Sequence, residues 1–279
     1  MTTCYFVSDL HGNKLRYELL IQEIVRNKPS FLFLGGDLLP HVRFSDKQKD
    51  SEVNPFINDF LIPLFKNMQR QLGCNYPEVY LILGNDDYKA DIPGFIEGMK
   101  SDLWKFLDNS SLKFGPYNIY GYSYVPPTPF KLKDWEKYDI DKTVPAGSIG
   151  PDKGFISVIS NPDDISLIID DLYSLANDGQ MDKAIFMIHT PPFNSLLDQI
   201  QGGVSIGSKA VAKFIEEKQP YITLHGHAHE SSTLTGNWRQ QFGRTYSFSA
   251  AYEGKGLSLV IFQIDNPQIA ERKIIEGHV

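Results

Sequence analysis

Five short apolar runs, each closed by acidic, amide or imidazole side chains, constrain the fold of this chain more than any other feature. They lie at residues 4–7, 31–34, 79–83, 184–188 and 221–224. Runs of this length and composition are typical of buried strands. The first three alternate with helical patterns, and that alternation predicts an α/β fold. Ligand sites in open α/β sheets collect at the carboxyl ends of the strands, which is where these polar residues fall.

The segments between and after these runs predict the remaining elements. Asn13 is expected to cap a helix over residues 14–27. Four apolar residues that recur at helical spacing predict a second helix packed on the core; they are Phe56, Phe60, Leu64 and Met68. Further helices are predicted over 163–176 and 208–217, further strands over 118–122 and 156–159, and several antiparallel strands over 231–275.

The composition bounds the class of protein. With 279 residues and 42% hydrophobic content, the chain is expected to form one domain over residues 1–279. Its net charge of −7 argues against strong general affinity for nucleic acid, although bound cations would make one site locally positive. The two cysteines, Cys4 and Cys74, give no support for a disulfide, and a reducing compartment is expected. With no signal peptide or membrane-spanning run apparent, we predict a cytoplasmic protein that does not associate with membranes.

The polar residues at the strand ends have the chemistry of a dinuclear metal site, which indicates a metal-dependent hydrolase. Two divalent cations roughly 3.5–4 Å apart need a bridging carboxylate together with oxygen or imidazole ligands. Asp37 suits the bridge because each of its oxygens can bind one ion. A donor set of nitrogen and oxygen without thiolate favours Mn, Fe, Zn or Co. The candidate ligands are Asp9, His11, Asp37, Asn85, His189, His227 and His229.

The order Asp-X-His, Gly-Asp, Gly-Asn, His and Gly-His-X-His over residues 9–229 resembles that of the calcineurin-like metallophosphoesterase superfamily. The resemblance implies a four-layer αββα sandwich of two mixed β-sheets flanked by helices. It also implies hydrolysis of a phosphodiester or small organic phosphate by a metal-bridging hydroxide, with Asn85 stabilising the developing charge. One ion would take Asp9, His11, Asp37 and His229, and the other Asp37, Asn85, His189 and His227.

One position departs from the family pattern. Members often carry His directly after Gly-Asn, whereas this chain has Asp86, which joins Asn85 as a candidate catalytic residue. A carboxyl group beside two cations should have a lowered pKa, so Asp86 is expected to stay ionised and to be a poor general acid. The next residue, Asp87, is expected to orient its neighbours through hydrogen bonds. Two alternatives stay open: a metal-binding scaffold with little activity, and a phosphomonoesterase or phosphoprotein phosphatase.

Residues 125–154 form an insert with five prolines and five lysines. A loop of this length is either functional, here a possible lid over the metal site, or a surface excursion without a role. Its Lys131 and Lys133 are expected to attract a phosphorylated small molecule or nucleotide, and Trp135 to stack on a base. From the loop after the second strand, His41 and Arg43 are candidate contacts to a substrate phosphate.

Overall fold

The computed structural model describes residues 2–41, 54–158, 166–177 and 180–277. The strands are β1 (Thr3–Val7), β2 (Phe31–Gly35), β3 (Glu78–Ile82), β4 (Lys105–Phe106), β5 (Ser110–Phe114), β6 (Tyr117–Tyr122), β7 (Ala184–Ile188), β8 (Gln199–Ile200), β9 (Val204–Ser205), β10 (Ile222–His225), β11 (Arg239–Phe242), β12 (Thr245–Ser249), β13 (Leu257–Gln263) and β14 (Asn266–Ile275). The α-helices are α1 (Lys14–Asn27), α2 (Ile62–Leu72), α3 (Ile92–Lys100), α4 (Ile168–Leu175), α5 (Lys209–Lys218) and α6 (Ser231–Thr235).

Two six-stranded sheets, both mixed, form the framework. The first has the order β14-β13-β1-β2-β3-β4, in which β1 to β4 are parallel while β13 and β14 are antiparallel to their neighbours. The second has the order β11-β12-β10-β7-β6-β5, with a parallel centre and antiparallel strands at both edges. Strands β8 and β9 form a separate small hairpin.

The two sheets face each other across a buried apolar layer. Phe6 and Phe33 of the first sheet belong to the same cluster as Met187 and Leu224 of the second. Helices cover the outer faces; for example, Phe214 of α5 packs 4.9 Å, ring centroid to centroid, from Phe186 of β7. The predicted α/β sandwich of two mixed sheets flanked by helices is therefore confirmed.

Two helices begin where the sequence predicted. The Asn13 side chain accepts a hydrogen bond from the backbone N–H of Arg16 at 3.3 Å and caps α1. The Ser208 hydroxyl does the same for Val211 at 3.0 Å at the start of α5. Caps of this kind can be recognised from sequence because the donor and the acceptor lie three residues apart. None of the helices among the described residues is long and apolar enough to cross a membrane.

Other segments differ from prediction. The strand expected at 156–159 is wrong for its described part, because Ile156 and Val158 are exposed and Ser157 donates its N–H to the Asp134 carboxylate rather than to a sheet. The helix expected over 163–176 is α4, and residues 163–165 lie outside the described part of the chain. The tail forms two antiparallel pairs, β11–β12 and β13–β14, but β12 also pairs in parallel with β10 and residues 231–235 are helical.

The carboxyl ends of the central strands of both sheets meet at one edge of the sandwich. Asp9, after β1, donates its N–H to Gly36, after β2, at 2.9 Å. Across the sandwich, the N–H of His227 after β10 donates to the Asp9 carboxylate at 3.0 Å. This edge is where the fold gathers the polar residues that follow the strands.

Candidate metal centre

Four of the gathered residues lie in turns with strained backbone. Asp9, His11, Asp37 and His227 have φ angles of 55°, 45°, 53° and 69°, in the left-handed region that non-glycine residues rarely occupy. Such conformations persist only where the surrounding structure enforces them, and they concentrate at functional sites. All four residues lie in the loops that follow β1, β2 and β10 at this edge of the sandwich.

Glycines next to these residues leave space for their side chains. A Cβ on Gly36, whose φ is +94°, would lie 2.6 Å from Nδ1 of His189. A Cβ on Gly84 would overlap the Asp37 carboxylate, and one on Gly226 would lie 2.7 Å from Oδ2 of Asp9. The glycines of the Gly-Asp, Gly-Asn and Gly-His motifs are thus required by close packing around the cluster.

Four of the predicted ligands form one compact group. One ligand atom each from Asp9, His11, Asp37 and His229 lie within 4.8 Å of one another. Nε2 of His229 lies 3.1 Å from Nε2 of His11 and 3.0 Å from Oδ1 of Asp9. Two carboxylates and two imidazoles at this spacing are able to surround one divalent ion.

The second predicted set is arranged as two pairs that meet beside the first group. Nε2 of His189 lies 3.3 Å from Oδ2 of Asp37, and Nδ1 of His227 lies 2.7 Å from Oδ1 of Asn85. The two imidazole rings are 5.5 Å apart. Asp37 faces both sets, as a bridging ligand must.

The arrangement of His189 fits a metal ligand. Its Nδ1 lies 2.8 Å from the carbonyl of Gly35, while its buried Nε2 has no hydrogen-bond partner among the described residues. Metal-binding imidazoles characteristically donate one ring N–H to an acceptor and use the other nitrogen for the ion. His225, in contrast, has both nitrogens within hydrogen-bond distance of protein acceptors and lies outside the cluster.

The cluster is held by opposing charges. Burial disfavours the charged form of Asp9, but His229 outweighs it and lowers the pKa of Asp9 to about 2. Burial likewise disfavours the cation of His189, but Asp37 raises its pKa to about 10, and Asp9 raises that of His229 to about 8. Burial and His189 lower the pKa of His227 to about 4. Cations entering this site would displace protons from His189 and His229.

The two carboxylates after Asn85 behave differently from the ligands. Burial, Asp37 and Asp87 together raise the pKa of Asp86 to about 8. The prediction of a lowered pKa considered only the two cations, and the chain's own groups act in the opposite direction. Asp87 is fully buried and accepts hydrogen bonds from the backbone N–H groups of Leu38, Leu39 and Gly84. It fixes the Gly-Asp and Gly-Asn turns relative to each other.

His41 lies at the exposed edge of the cluster. Its ring stacks on that of His11 with centroids 4.5 Å apart, and its Nδ1 lies 3.5 Å from Oδ2 of Asp86. The side chain is 62% exposed, so it is accessible to a ligand from solvent. Arg43, the other candidate in this loop, lies outside the described residues.

The predicted role of Trp135 is wrong. Its side chain is fully buried and packs edge-on against Tyr124 with ring centroids 5.3 Å apart, so it is not available to stack on a base. Lys133 is also fully buried, with Nζ 2.6 Å from Glu136, and offers no charge to a substrate. Lys131 is exposed. Trp135 and Lys133 are therefore packed inside the protein, whereas Lys131 stays accessible to solvent.

Two residues that support the site were not predicted. The Ser8 hydroxyl donates to Oδ2 of Asp9, and its place next to Asp9 was an available signal. Arg16 donates Nη1 to the carbonyl of Asp9 at 2.9 Å and Nη2 to that of Gly254. Because Gly254 lies 238 residues away in sequence, no local sequence pattern predicts this contact.

Known proteins provide an independent comparison. Two crystal structures cover 99% of this chain and 99% of their own chains at 12% identity: one with a TM-score of 0.64, and TT1561 of Thermus thermophilus with a TM-score of 0.60. At this identity the likeness shows the fold. No curated protein matches the sequence significantly. The sequence profile of the calcineurin-like phosphoesterases matches residues 2–231. The resemblance found in the motifs is thereby confirmed, and the chain belongs to the calcineurin-like phosphoesterase family.

Proposed function

We propose that this chain hydrolyses phosphodiesters or small organic phosphates, nucleotides among them, with the help of two divalent metal ions. Membership of the family supports metal-dependent phosphoester hydrolysis as the reaction class. The observation that carries the proposal is the buried cluster of carboxylates and imidazoles, with Asp37 between its two sets. The proposed ligands are Asp9, His11, Asp37 and His229 for one ion and Asp37, Asn85, His189 and His227 for the other.

Each part of the site has a role in this proposal. Two bound ions would lower the pKa of water and neutralise charge on a phosphoryl group. Asp37 holds the two sets together, and Asn85 contributes its amide oxygen. His41, exposed beside His11, is placed to contact the substrate from the solvent side. Mixed nitrogen and oxygen donors favour Mn, Fe, Zn or Co.

The substrate preference follows from Asp86. This carboxylate stands where many members of the family have an imidazole, and it would be ionised beside two cations. We infer that esters with activated leaving groups react fastest. A lid formed by the insert and a cytoplasmic location stay predictions, and the lid would have to use residues other than Trp135.

The test compares hydrolysis of bis-p-nitrophenyl phosphate and p-nitrophenyl phosphate by the Mn²⁺-loaded protein, with Asp37→Asn as the control. Diester turnover that is lost in Asp37→Asn would support a phosphodiesterase. Preference for the monoester would redirect the proposal to phosphomonoesters. Two bound ions without turnover of either compound would favour the alternative, a metal-binding scaffold of the same fold.

A further inference from the structure

Asp86 contacts candidate ligands from both halves of the metal centre. Its Oδ1 accepts a hydrogen bond from Nδ2 of Asn85 at 3.2 Å. Its Oδ2 lies 3.7 Å from Nδ1 of His11 and 3.5 Å from Nδ1 of His41. Its backbone N–H donates to Oδ1 of Asp37 at 2.8 Å. The two carboxylate oxygens are thus divided between ligands that belong to different ions.

The contact to Asn85 sets the orientation of the amide. With Nδ2 donating to Asp86, the amide oxygen points the other way, toward His227, whose Nδ1 lies 2.7 Å from it. Only the oxygen of an amide binds a divalent cation. A flipped Asn85 would present its NH₂ group to the ion instead. Asp86 therefore favours the orientation that is able to bind.

Asp86 also lies beside His11, where a hydrogen bond to its carboxylate would set the tautomer of the imidazole. Nε2 of His11 faces Nε2 of His229 within the compact group, while Nδ1 is buried and has no hydrogen-bond partner among the described residues. Among the ion-pair contacts of the described residues, the acceptor near Nδ1 is Oδ2 of Asp86. A small side-chain rotation would turn this 3.7 Å contact into a hydrogen bond. His189 has the equivalent contact already made, to the carbonyl of Gly35.

We propose that Asp86 is a positioning residue for metal binding, which orients Asn85 for one ion and His11 for the other. The inference rests on the proposed two-metal function and gives a role to the carboxylate that replaces the imidazole common in the family. Acceptors that hold the second nitrogen of a ligand imidazole typically change metal affinity by about 10–100-fold when removed. The same carboxylate also tethers His41 on the exposed face of His11.

A competing interpretation uses the same atoms. His11, His41 and Asp86 each offer one ligand atom, and the three atoms lie within 4.8 Å of one another, which is close enough for a third ion. Such an ion would need Nδ1 of His11 while the first ion holds Nε2, and an imidazole bridging two cations must lose its last N–H. A hydrogen bond from that N–H to Asp86 makes no such demand, and the outer-sphere role is the simpler one.

The experiment measures metal stoichiometry by elemental analysis and both dissociation constants by competition with a chromophoric chelator, using Mn²⁺ and Zn²⁺. The wild-type chain should bind two ions. Asp86→Ala removes both contacts and should weaken both ions by about 10–100-fold. Asp86→Asn keeps an acceptor for Asn85 but turns an NH₂ group toward Nδ1–H of His11, so it should weaken one ion only. His41→Phe keeps the stacked ring and should leave both constants unchanged.

Unaltered dissociation constants in Asp86→Ala would overturn the proposal. So would a third ion in the wild type that is lost in both Asp86→Ala and His41→Phe. Circular dichroism and thermal unfolding in chelator establish that each variant is folded, and Asp86→Asn supplies the answer if Asp86→Ala is not. Metal binding is read without turnover. Weakened binding in the variant, together with a wild type that hydrolyses no phosphoester, would therefore retain this inference while rejecting the proposed function.

Discussion

The insert and the metal centre both bury charged groups, but the two regions differ in how those groups are paired. In the insert, the buried Lys133 ammonium lies 2.6 Å from Glu136 and donates to the carbonyl of Thr128 at 2.9 Å. Glu136 in turn accepts from the N–H and the hydroxyl of Thr128. Every charge in this group is matched by a partner within the protein.

In the metal centre, buried imidazole nitrogens lie near carboxylates without making hydrogen bonds to them. Nε2 of His189 and Nδ1 of His11 are both buried without a hydrogen-bond partner among the described residues. Its backbone is also strained, as the positive φ angles of Asp9 and Asp37 show. A buried polar atom without a partner costs free energy, and two such atoms in one strained cluster of candidate ligands are consistent with nitrogens that a metal ion would use. The paired charges of Lys133 and Glu136 are therefore structural, whereas the cluster in which unpaired imidazole nitrogens coincide with backbone strain is the candidate binding site. Nε1 of Trp135 in the insert is also buried without a hydrogen-bond partner among the described residues, so an unpaired atom alone does not identify a site.

The largest expected effect is that of Asp37→Asn in the metal centre. The variant removes the charge of the residue shared by both sets, so turnover of the preferred phosphoester should fall by more than about 100-fold, the upper end for residues beyond the ligands themselves. Initial rates and bound metal per chain measure this. The matched control is Asp141→Asn, an exposed carboxylate of the insert, which should change neither quantity. Equal losses in both variants would contradict the contrast drawn between the two regions.

Lys133→Met should lower the stability of the fold and leave metal binding unchanged, which is the reverse of the effect expected for Asp37→Asn. It leaves the buried Glu136 carboxylate without its cation, and breaking a buried pair from one side costs about 3–5 kcal/mol in unfolding free energy. Metal dissociation constants should stay unchanged. Urea unfolding measures the stability, and a metal titration measures the dissociation constants. The double variant Lys133→Met/Glu136→Leu should recover part of the stability, because it removes the unpaired carboxylate but leaves the N–H and hydroxyl of Thr128 without their acceptor. A weakened metal affinity in Lys133→Met would instead reveal that the insert supports the metal centre.

Two glycines provide a finer comparison. Gly36 and Gly147 have similar φ angles of +94° and +83°, so alanine is strained at both, by about 1–2 kcal/mol. At Gly147 the new methyl group meets nothing within 4 Å, whereas at Gly36 it would lie 2.6 Å from Nδ1 of His189. Gly36→Ala should therefore also weaken metal binding, and Gly147→Ala should not. Similar metal affinities in the two variants, measured by chelator competition, would mean that His189 moves aside without cost.

The smallest effect expected is a pH dependence of stability. The pKa of Asp86 is about 8 in the folded chain and 3.8 for an ordinary aspartate, so ionisation is disfavoured by folding. Stability from this group is fully present below about pH 4 and is lost as the pH rises toward 8. Asp86→Asn should therefore unfold at the same temperature as the wild type near pH 4 and at a temperature a few degrees higher near pH 8. Thermal unfolding in chelator across this range measures it, and a difference independent of pH would contradict the assigned cause.

The sequence predicted the architecture where the signal was local. Apolar runs and the Asn13 cap are recognisable within a few residues, and the corresponding strands and helix are present. It failed at residues 156–158, where an apolar pattern resembles a strand but Ser157 is bound by the side chain of Asp134. The prediction for Trp135 is also wrong. An aromatic residue in a polar loop is expected to be exposed, and its burial depends on neighbours that the sequence does not reveal.

By itself, the sequence determined the order of the central strands and of helices α1, α2, α4 and α5, and the residues that follow those strands, because hydrophobic periodicity and glycine-containing turns depend on short stretches of sequence. It did not predict α3, β4, β5 or the β8–β9 hairpin. The tertiary structure decided how those residues meet. His11 and His229 lie 218 residues apart in sequence with ring nitrogens 3.1 Å apart, and Asp86 reaches Asn85 and His11 at once. Such contacts depend on the relative placement of two sheets, which no local pattern encodes. Burial and neighbouring charges in the folded protein then shift the pKa values of these residues away from those of the isolated amino acids.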